Sequence, residues 1–330
     1  MIKAGIIGGA GYTGGELLRI LINHPEVEIS FVHSNSNAGN LISDVHTDLL
    51  GDTDLKFTDQ LSGDIHVLFL CVGHGDARKF LIDNPINDNI KIIDLSQDFR
   101  LAANAQFNSK KFVYGLPELN RDSIKTASNI ANPGCFATCI QMGLLPLAKA
   151  GLLNGEVHIN ATTGSTGAGQ GLSTTSHFSW RNNNLSIYKA FEHQHLNEIV
   201  ESLNALQSPP SNKITQENLS FIPQRGDFTR GILAVQYLDC DLSLAEAQQL
   251  YEDFYAQHPF THISKTNVHL KQVVNTNKCL IYLEKHGNKL MVTSIIDNLL
   301  KGASGQAVQN MNLLFNLPET MGLRLKASAF

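Results

Sequence analysis

The chain of 330 residues is 42% hydrophobic and 17% charged, a composition that can bury a substantial core and excludes intrinsic disorder as its main character. This length favours about two domains. The net charge is -5, and acidic and basic residues are interspersed without a basic tract, which argues against a nucleic-acid partner.

The sequence also indicates where the protein works. It has no uncharged stretch of about 20 apolar residues, so we expect no signal peptide and no membrane partner. Its five cysteines are scattered, with no pair at C-x-x-C spacing, which fits neither a disulfide framework nor a zinc site. We therefore predict a cytoplasmic protein with free thiols at Cys71, Cys135, Cys139, Cys240 and Cys279.

The clearest local pattern lies in the first 24 residues. A short apolar run at 4–7 precedes a glycine-rich turn, and apolar residues then recur at helical spacing until Pro25. In a strand–turn–helix unit, glycines at this spacing let the backbone approach a pyrophosphate at the helix N-terminus. We predict that the turn binds a dinucleotide through Gly8, Gly11, Tyr12, Thr13 and Gly14.

The segment after the second predicted strand indicates which dinucleotide binds. An NAD site usually has an acidic residue about 20 residues after the glycines, where it bonds the adenine ribose. Here residues 32–37 (VHSNSN) offer hydroxyl and amide groups and no carboxylate that would repel a 2′-phosphate. We therefore predict NADP(H) as the cofactor, with Ser34 and Ser36 at its 2′-phosphate.

Three further apolar runs in the first part of the chain, 27–32, 66–72 and 90–95, are predicted strands. The run at 66–72 is continuous, as expected of a parallel strand covered on both faces. The first ~130 residues therefore predict an α/β domain with a Rossmann-like, doubly wound parallel sheet.

The second half of the chain changes character. Its strand-like runs have few helices between them, which predicts an α+β domain with a mixed sheet, at 157–162, 232–238, 278–283 and 290–296. A capping box of Ser243 and Glu246 predicts one helix there, and residues 204–218 are interpreted as a surface loop.

A final segment, 303–315, has helical spacing and can return to the first domain. We assign residues 1–134 with 302–330 to an NADP-binding domain, and 135–301 to a catalytic and substrate or dimerisation domain.

Cys135 is the cysteine whose local sequence predicts reactivity. It follows Asn132-Pro133-Gly134 at the start of a predicted helix, after a strand-like run at 128–131. A helix N-terminus stabilises the thiolate, which is the nucleophilic form of cysteine. The other cysteines lie in apolar runs or, for Cys139, one helical turn into the core, and we predict that they are inert.

His193-Gln194-His195 with Glu198 is the next candidate cluster. Two histidines one residue apart can ligate a metal, but no third ligand at a recognisable spacing accompanies them, so we predict no metal. If His195 and Glu198 both lie in a helix, they share a face, and the Glu198 carboxylate can orient the His195 imidazole as a proton donor.

Residues 163–169 (TGSTGAG) form a turn rich in glycine and hydroxyl groups. Such a turn can be an anion-binding nest of backbone N–H groups, or simply a flexible loop. The composition alone leaves both interpretations open.

The combination of a glycine turn, a cysteine at a helix start and later histidines resembles the acyl-phosphate reductases that use a thioester intermediate. Within that group, the chain resembles the N-acetyl-γ-glutamyl-phosphate reductase family of arginine biosynthesis along essentially its whole length. Four tracts carry this resemblance: 94–101 (DLSQDFRL), 114–118 (YGLPE), 132–138 (NPGCFAT) and 297–312 (DNLLKGASGQAVQNMN).

Two departures from the family accompany the resemblance. The family usually shows His-Arg-His-x-Pro-Glu, where this chain keeps His193, His195 and Glu198 without the arginine and the proline. It also has Gln224 where a histidine is common. These departures leave the chemistry intact and leave the acyl-group specificity open.

The resemblance implies a reaction and roles for further residues. The family reduces N-acyl-γ-glutamyl phosphate with NADPH, by way of a thioester that would form on Cys135, and His195, with His193 as second choice, would be the proton donor. Its members are homodimers or homotetramers acting on a small acyl phosphate. Candidate contacts are Arg100, Ser165 and Thr166 for the phosphate, Tyr188 and Glu198 for the amino-acid end, and Gln306 and Asn310 for the nicotinamide amide.

Two alternatives stay open. A sister reductase would act on N-succinyl-glutamyl, aspartyl or carrier-bound aminoadipyl phosphate with the same chemistry. A catalytically inactive NADP(H)-binding sensor is disfavoured, because a sensor does not need a cysteine at a helix start together with two histidines.

Overall fold

The structure is a computed structural model that describes residues 1–207 and 213–329. This part of the chain groups into two compact units. Unit 1 consists of Met1–Gly134 and Ala303–Arg324, and unit 2 consists of Cys135–Gly302 with the segment that begins at Leu325. Unit 2 is therefore inserted into the sequence of unit 1.

The described residues of unit 1 form an eight-stranded sheet in the order β3-β2-β1-β4-β5-β8-β7-β6. All neighbouring strands are parallel except the antiparallel pair β6–β7 at one edge. The strands are β1 (Ile2–Ile7), β2 (Val27–His33), β3 (Phe57–Thr58), β4 (Val67–Leu70), β5 (Lys91–Asp94), β6 (Gln106–Phe107), β7 (Lys110–Tyr114) and β8 (Asn129–Ala131). The predicted doubly wound parallel sheet is confirmed.

The helices of the first segment of unit 1 are α1 (Tyr12–Leu21), α2 (Asp76–Asp83) and α3 (Pro117–Thr126). Helix α1 follows the predicted spacing and buries Leu17, Leu18 and Leu21. The strand order reverses at β1, which lies between β2 and β4. In sheets of this kind, ligands bind at the carboxyl ends of the strands where the order reverses, and the glycine turn begins there.

Unit 2 contains the predicted mixed sheet. Its described strands follow the order β10-β11-β9-β12-β15-β14-β13, with parallel pairs β11–β9 and β13–β14 among antiparallel ones. They are β9 (Val157–Thr163), β10 (Ser186–Ile187), β11 (Leu219–Arg225), β12 (Ile232–Asp239), β13 (Thr261–Ser264), β14 (Cys279–His286) and β15 (Lys289–Ile296).

The helices of unit 2 are α4 (Cys135–Lys149), α5 (Phe178–Arg181), α6 (His195–Leu206) and α7 (Leu244–Tyr255). Helix α4 is buried from Phe136 to Ala148 and packs against α6 and the sheet. The predicted capping box is confirmed, since Ser243 Oγ accepts from the Glu246 N–H and the Ser243 N–H donates to Glu246 Oε2.

One further helix, α8 (Ser304–Leu314), confirms the helical spacing predicted near the C-terminus. All 11 of its residues are buried within unit 1. Across residues 1–207 and 213–329, no helix combines the length and the apolar character that crossing a membrane requires.

The interpretation of residues 204–218 as a surface loop is wrong at both ends. Helix α6 continues to Leu206, and Gln216–Asn218 is a short helical turn. The Asn204 side-chain amide links helix α6 to Ile214: its Nδ2 donates to the Ile214 carbonyl and its Oδ1 accepts from the Ile214 N–H, each at 2.8 Å. Residues 208–212 lie outside the described part of the chain.

Candidate active site

The predicted glycine turn connects β1 to α1 in unit 1. Gly8 has a φ of +76°, and a Cβ atom there would lie 2.4 Å from the Cys71 carbonyl oxygen. A Cβ atom at Gly14 would lie 2.6 Å from the Gly9 carbonyl oxygen. Both positions therefore require glycine. Gly11 precedes the helix as its N-cap, so the first turn of α1, with N–H groups that lack intrahelical partners, begins with Tyr12 and Thr13.

A cleft of about 710 Å³ lies beside this turn in unit 1. Gly8, Ser34 and Ser36 line it together, so the residues predicted for the pyrophosphate and for the 2′-phosphate share one cavity. The hydroxyl oxygens of Ser34 and Ser36 accept hydrogen bonds from Asn37 Nδ2, at 3.2 and 3.1 Å. Each hydroxyl proton therefore stays available for donation to an anion.

Lys79, on α2, also lines this cleft, and the sequence analysis did not identify it. An ammonium group there suits a phosphate ligand. Lys79 follows β4, whereas Ser34 and Ser36 follow β2, so no spacing in the sequence connects them. Because β1 pairs in parallel with both β2 and β4, the segments that follow these two strands lie at the same carboxyl end of the sheet.

Arg100 is buried and supports the segment that leads to Cys135. Its Nε donates to the Asn132 carbonyl at 2.8 Å, and its Nη2 donates to the Leu95 carbonyl at 3.0 Å. These two carbonyls directly follow β8 and β5, so the guanidinium holds the carboxyl ends of both strands. Its predicted contact with a phosphate stays a prediction.

Gln306 and Asn310, predicted for the nicotinamide amide, are fully buried on α8. Asn310 Nδ2 donates to the Gly115 carbonyl at 2.8 Å and to Asn132 Oδ1 at 3.1 Å. Its Oδ1 is buried without a hydrogen-bond partner among the described residues. The amide nitrogen of Asn310 thus serves packing within unit 1, and Oδ1 is the atom left for a ligand.

In unit 2, helix α4 begins at Cys135, as predicted. Cys135 is half-buried, whereas the other four cysteines are buried. Burial raises the pKa values of the Cys71 and Cys139 thiols to about 12, so neither is a thiolate at neutral pH. A Cβ atom at Gly302 would lie 2.9 Å from Cys135 Cβ, so this glycine lets the chain pass close to the thiol.

The predicted histidines lie beside the start of α4. The ring of Phe136 packs edge-on against His193 and His195, with centroids 5.4 and 6.4 Å away. His195 is the first residue of α6, and its Nε2 lies 3.9 Å from Glu198 Oε1, so the predicted shared helix face is confirmed. All three side chains of this cluster, His193, His195 and Glu198, are buried.

Tyr188 completes the aromatic surroundings of His193, with ring centroids 5.8 Å apart. Burial and then the nearby charge of Cys135 raise the Tyr188 pKa to about 12, so its phenol is a neutral hydrogen-bond donor. Burial, Lys189 and Arg225 lower the His193 pKa to about 4. His193 is therefore a neutral imidazole at pH 7.

The start of the turn at 163–169 is hydrogen-bonded to a neighbouring segment of unit 2, which argues against an anion nest. The Ser165 N–H donates to the Phe228 carbonyl at 2.8 Å, and the Thr166 N–H donates to the Thr229 carbonyl at 3.1 Å. The Thr166 hydroxyl donates to the same Thr229 carbonyl at 2.6 Å. The donors that a nest would offer are used by the neighbouring segment, and contacts of Ser165 and Thr166 with a phosphate stay predictions.

Arg225 lies beside the candidate site, although no motif in the sequence indicates it. Its guanidinium carbon lies 4.6 Å from the centroid of the Tyr188 ring. Consecutive strand residues point to opposite faces, so Arg225 shares its face of β11 with Phe221, which packs against His193. Gln224 lies on the other face and accepts a hydrogen bond from Thr162. This alternation was a usable signal, but Pro223 disfavoured a strand.

Among the described residues, no cluster of three or more His, Cys, Asp or Glu side chains could hold a metal ion. Unit 2 instead offers a half-buried thiol at a helix N-terminus and two adjacent imidazoles. Such a group can form a covalent acyl intermediate and transfer a proton.

Two family models match the chain: "Semialdehyde dehydrogenase, NAD binding domain" over residues 3–127 and "Semialdehyde dehydrogenase, dimerisation domain" over 135–298. The N-acetyl-gamma-glutamyl-phosphate reductase of Bacteroides thetaiotaomicron is 61% identical over 331 residues, covering 100% of both chains. That of Flavobacterium johnsoniae is 59% identical over 330 residues, again covering 100% of both. The chain belongs to the N-acetyl-γ-glutamyl-phosphate reductase family.

Solved structures similar to this family member share its fold. The aspartate semialdehyde dehydrogenase II of Vibrio cholerae, complexed with ASA, matches with a TM-score of 0.71 and 16% identity, over 96% of this chain and 98% of that one. The aspartate semialdehyde dehydrogenase of Candida albicans, solved with NADP, matches with a TM-score of 0.65 and 13% identity, over 96% and 98%.

Proposed function

We propose that this chain reduces N-acetyl-γ-glutamyl phosphate to N-acetylglutamate γ-semialdehyde and phosphate with NADPH, in arginine biosynthesis. The observation that carries this proposal is Cys135, a half-buried cysteine at the start of α4 beside two buried histidines, in a chain 61% identical over its full length to a named reductase of this kind.

Cys135 is the nucleophile. Its thiolate attacks the γ-carbonyl carbon, backbone N–H groups at the start of α4 stabilise the oxyanion, and phosphate leaves as the thioester forms. Burial raises the pKa values of the Cys71 and Cys139 thiols to about 12, which keeps both out of this chemistry. Arg100, Ser165 and Thr166 remain the proposed contacts of the phosphate.

The hydride that reduces the thioester would come from NADPH when it is bound. The glycine turn of unit 1 suits a pyrophosphate because Gly8 and Gly14 let the turn pack tightly against the backbone, which places the first N–H groups of α1 at the carboxyl end of β1. Ser34, Ser36 and Lys79 line the cleft and would hold the 2′-phosphate there. Gln306 and Asn310 are the proposed contacts of the nicotinamide amide.

His195 donates a proton to the oxyanion of the thiohemiacetal, and takes it back as the C–S bond breaks, which releases the semialdehyde and returns Cys135 as the thiolate. Glu198 lies on the same face of α6 and orients the imidazole, with Nε2 and Oε1 3.9 Å apart. A group with a pKa of about 4 is deprotonated at pH 7, so His193 is a neutral imidazole and not a general acid. We assign it to substrate binding together with Tyr188.

The two parts of the chain divide this work. We assign NADP(H) binding to residues 1–134 with 302–330, of which Gly302 and the segment from Leu325 group with unit 2, and the catalytic groups and the subunit interface to 135–301. The match of residues 135–298 to a dimerisation domain indicates an oligomer, and we assign a homodimer or a homotetramer. The free cysteines fit the reducing cytoplasm as its location.

The reverse reaction tests the proposal directly. Purified protein, NADP⁺ and inorganic phosphate are mixed with N-acetylglutamate γ-semialdehyde, and NADPH formation is followed by its absorbance at 340 nm. We expect phosphate-dependent turnover that aspartate semialdehyde does not support. Turnover of aspartate semialdehyde alone would assign the sister activity, and cofactor binding with no turnover of either compound would assign a sensor.

A further inference from the structure

Arg181 and Arg225 lie next to each other at the end of β11. Arg181 is the last residue of α5 and is buried, and its Nη1 donates to the Arg225 carbonyl at 2.7 Å. Its Nη2 donates to the Thr175 carbonyl at 3.2 Å. Arg181 therefore fixes the end of β11, from which the Arg225 side chain extends.

Arg225 points its charge at the site without a protein anion to neutralise it. Its guanidinium stacks on Tyr188, whose ring lies edge-on to His193. Its Nε is buried and has no hydrogen-bond partner, and no carboxylate forms an ion pair with it within residues 1–207 and 213–329. Asp227, two residues on, accepts from the Asn183 N–H at 2.6 Å and acts on Arg181 instead.

This arrangement favours an anion from outside the protein as the partner of Arg225. A buried guanidinium donor without a partner is costly, and like charge from Arg181 increases that cost. A carboxylate offers two oxygens that match the planar fork of arginine. The rings of Tyr188, Phe136 and Phe221 around His193 suit the carbon chain of an acylated amino acid better than a phosphate dianion.

We propose that Arg225, held by Arg181, binds a carboxylate of the acylated amino-acid substrate beside Tyr188 and His193. This inference rests on the proposed function. The carboxylate has two possible sources: the α-carboxylate of the glutamyl moiety, or the distal carboxylate of a dicarboxylic N-acyl group such as succinyl. Both present the same chemistry to the guanidinium.

The test compares wild-type protein with Arg225→Gln, Arg225→Lys and the control Arg324→Gln, an exposed arginine of unit 1. Each is assayed with NADP⁺, phosphate and three compounds: N-acetylglutamate γ-semialdehyde, its α-carboxamide and the N-succinyl analogue. In Arg225→Gln, loss of a charged hydrogen bond should raise KM for the compounds that carry the bound carboxylate by roughly 10- to 100-fold, while kcat changes little. Arg225→Lys should restore part of the loss, and Arg324→Gln should match wild type.

The substrate arms separate the two sources. If the α-carboxylate binds, Arg225→Gln weakens both carboxylate substrates equally and no longer discriminates against the α-carboxamide. If the distal carboxylate binds, wild type prefers the N-succinyl compound and Arg225→Gln loses that preference. The inference is overturned if KM for both carboxylate substrates stays within about twofold of wild type, or if KM for phosphate rises instead. A wild-type protein that turns over none of these compounds contradicts the proposed function itself.

Discussion

His193 accepts a hydrogen bond at Nδ1 from the backbone N–H of His195, at 3.2 Å. An acceptor nitrogen carries no proton, so the proton of this neutral ring lies on Nε2. Burial, Lys189 and Arg225 lower the His193 pKa to about 4. At pH 7 His193 can donate a hydrogen bond to a ligand, but it is not an imidazolium that delivers a proton.

The two histidines should therefore separate in steady-state kinetics. We expect His195→Asn to lower kcat by roughly 10²–10⁴, the usual range for losing a general acid or base. His193→Asn should act mainly through KM, because it removes binding that ground state and transition state share. A larger kcat loss in His193→Asn with unchanged KM would exchange the two roles, and two variants with normal kcat would place the proton donor outside this cluster.

Replacement of Cys135 tests the nucleophile. Cys135→Ser should lose nearly all turnover and still bind NADPH, because a serine hydroxyl without a strong base is a poor nucleophile. Binding can be followed by fluorescence titration of NADPH. Retention of more than roughly a tenth of wild-type kcat, a barrier change under about 1.4 kcal/mol, would exclude the role.

Cys139→Ser is the matched control, one helical turn along α4. The Cys139 thiol donates to the Ser294 carbonyl at 3.3 Å, and a serine hydroxyl can make the same bond. We expect nearly normal kcat, and iodoacetamide should inactivate this variant at the wild-type rate while it leaves Cys135→Ser unlabelled.

Cofactor selectivity tests the cleft of unit 1. Wild type should show a higher kcat/KM with NADPH than with NADH, since Ser34 and Ser36 offer no carboxylate to repel a 2′-phosphate. Ser34→Asp should reduce or reverse this preference. A wild-type preference for NADH would contradict the assignment.

Lys79→Ala tests the cation that lines the same cleft. It should raise KM for NADPH several-fold and leave KM for NADH unchanged, because only NADPH carries the 2′-phosphate. Lys111→Ala, another exposed lysine of unit 1, should change neither value. Equal effects of Lys79→Ala on both cofactors would place the lysine away from the 2′-phosphate.

Asp94 gives stability a specific pH dependence. Burial raises the pKa of this fully buried carboxyl to about 7, and the Ser96 N–H and hydroxyl bind its two oxygens. A pKa that is higher in the folded state stabilises the protein below the unfolded value, and this contribution is lost as pH rises through about 7. Wild type should therefore lose stability between pH 5 and pH 8.

Asp94→Asn should remove much of this pH-dependent loss, which amounts to at most about 2–3 kcal/mol of unfolding free energy between pH 5 and pH 8. Urea denaturation at both pH values measures the difference. Asp241→Asn, at an exposed position, should keep the wild-type pH dependence. If Asp94→Asn keeps it as well, the carboxyl does not titrate in this range.

The sequence predicts elements whose pattern repeats over several residues. The buried run of β4 and the spacing of α1 are examples, and Cys135 was placed correctly because its motif is local. The two-residue strands β3, β6 and β10 are too short to show a period. They exist because a neighbouring strand offers hydrogen bonds, and a single-sequence pattern does not contain that information.

The same reason explains the errors in the candidate site. The turn at 163–169 was interpreted from its own composition, but its N–H groups bond to residues 228 and 229, more than 60 positions away. Arg225 was missed because its role depends on β11 lying between β9 and β10. The positions of such residues depend on pairings with distant parts of the chain, whereas local motifs are enough to predict the positions of Cys135 and the glycines.

The insertion of unit 2 has a consequence for synthesis on the ribosome. Asn132 Nδ2 donates to the Ala303 carbonyl at 3.1 Å, and the Ser304 hydroxyl donates to the Thr13 carbonyl at 2.7 Å, so the earliest and latest parts of unit 1 pack together. The whole of unit 2 except its last residues is translated between them. All eight described strands of unit 1 are translated before unit 2, but α8, which packs against α1, α3 and β5, emerges only after it, so the inserted unit can reach its fold first.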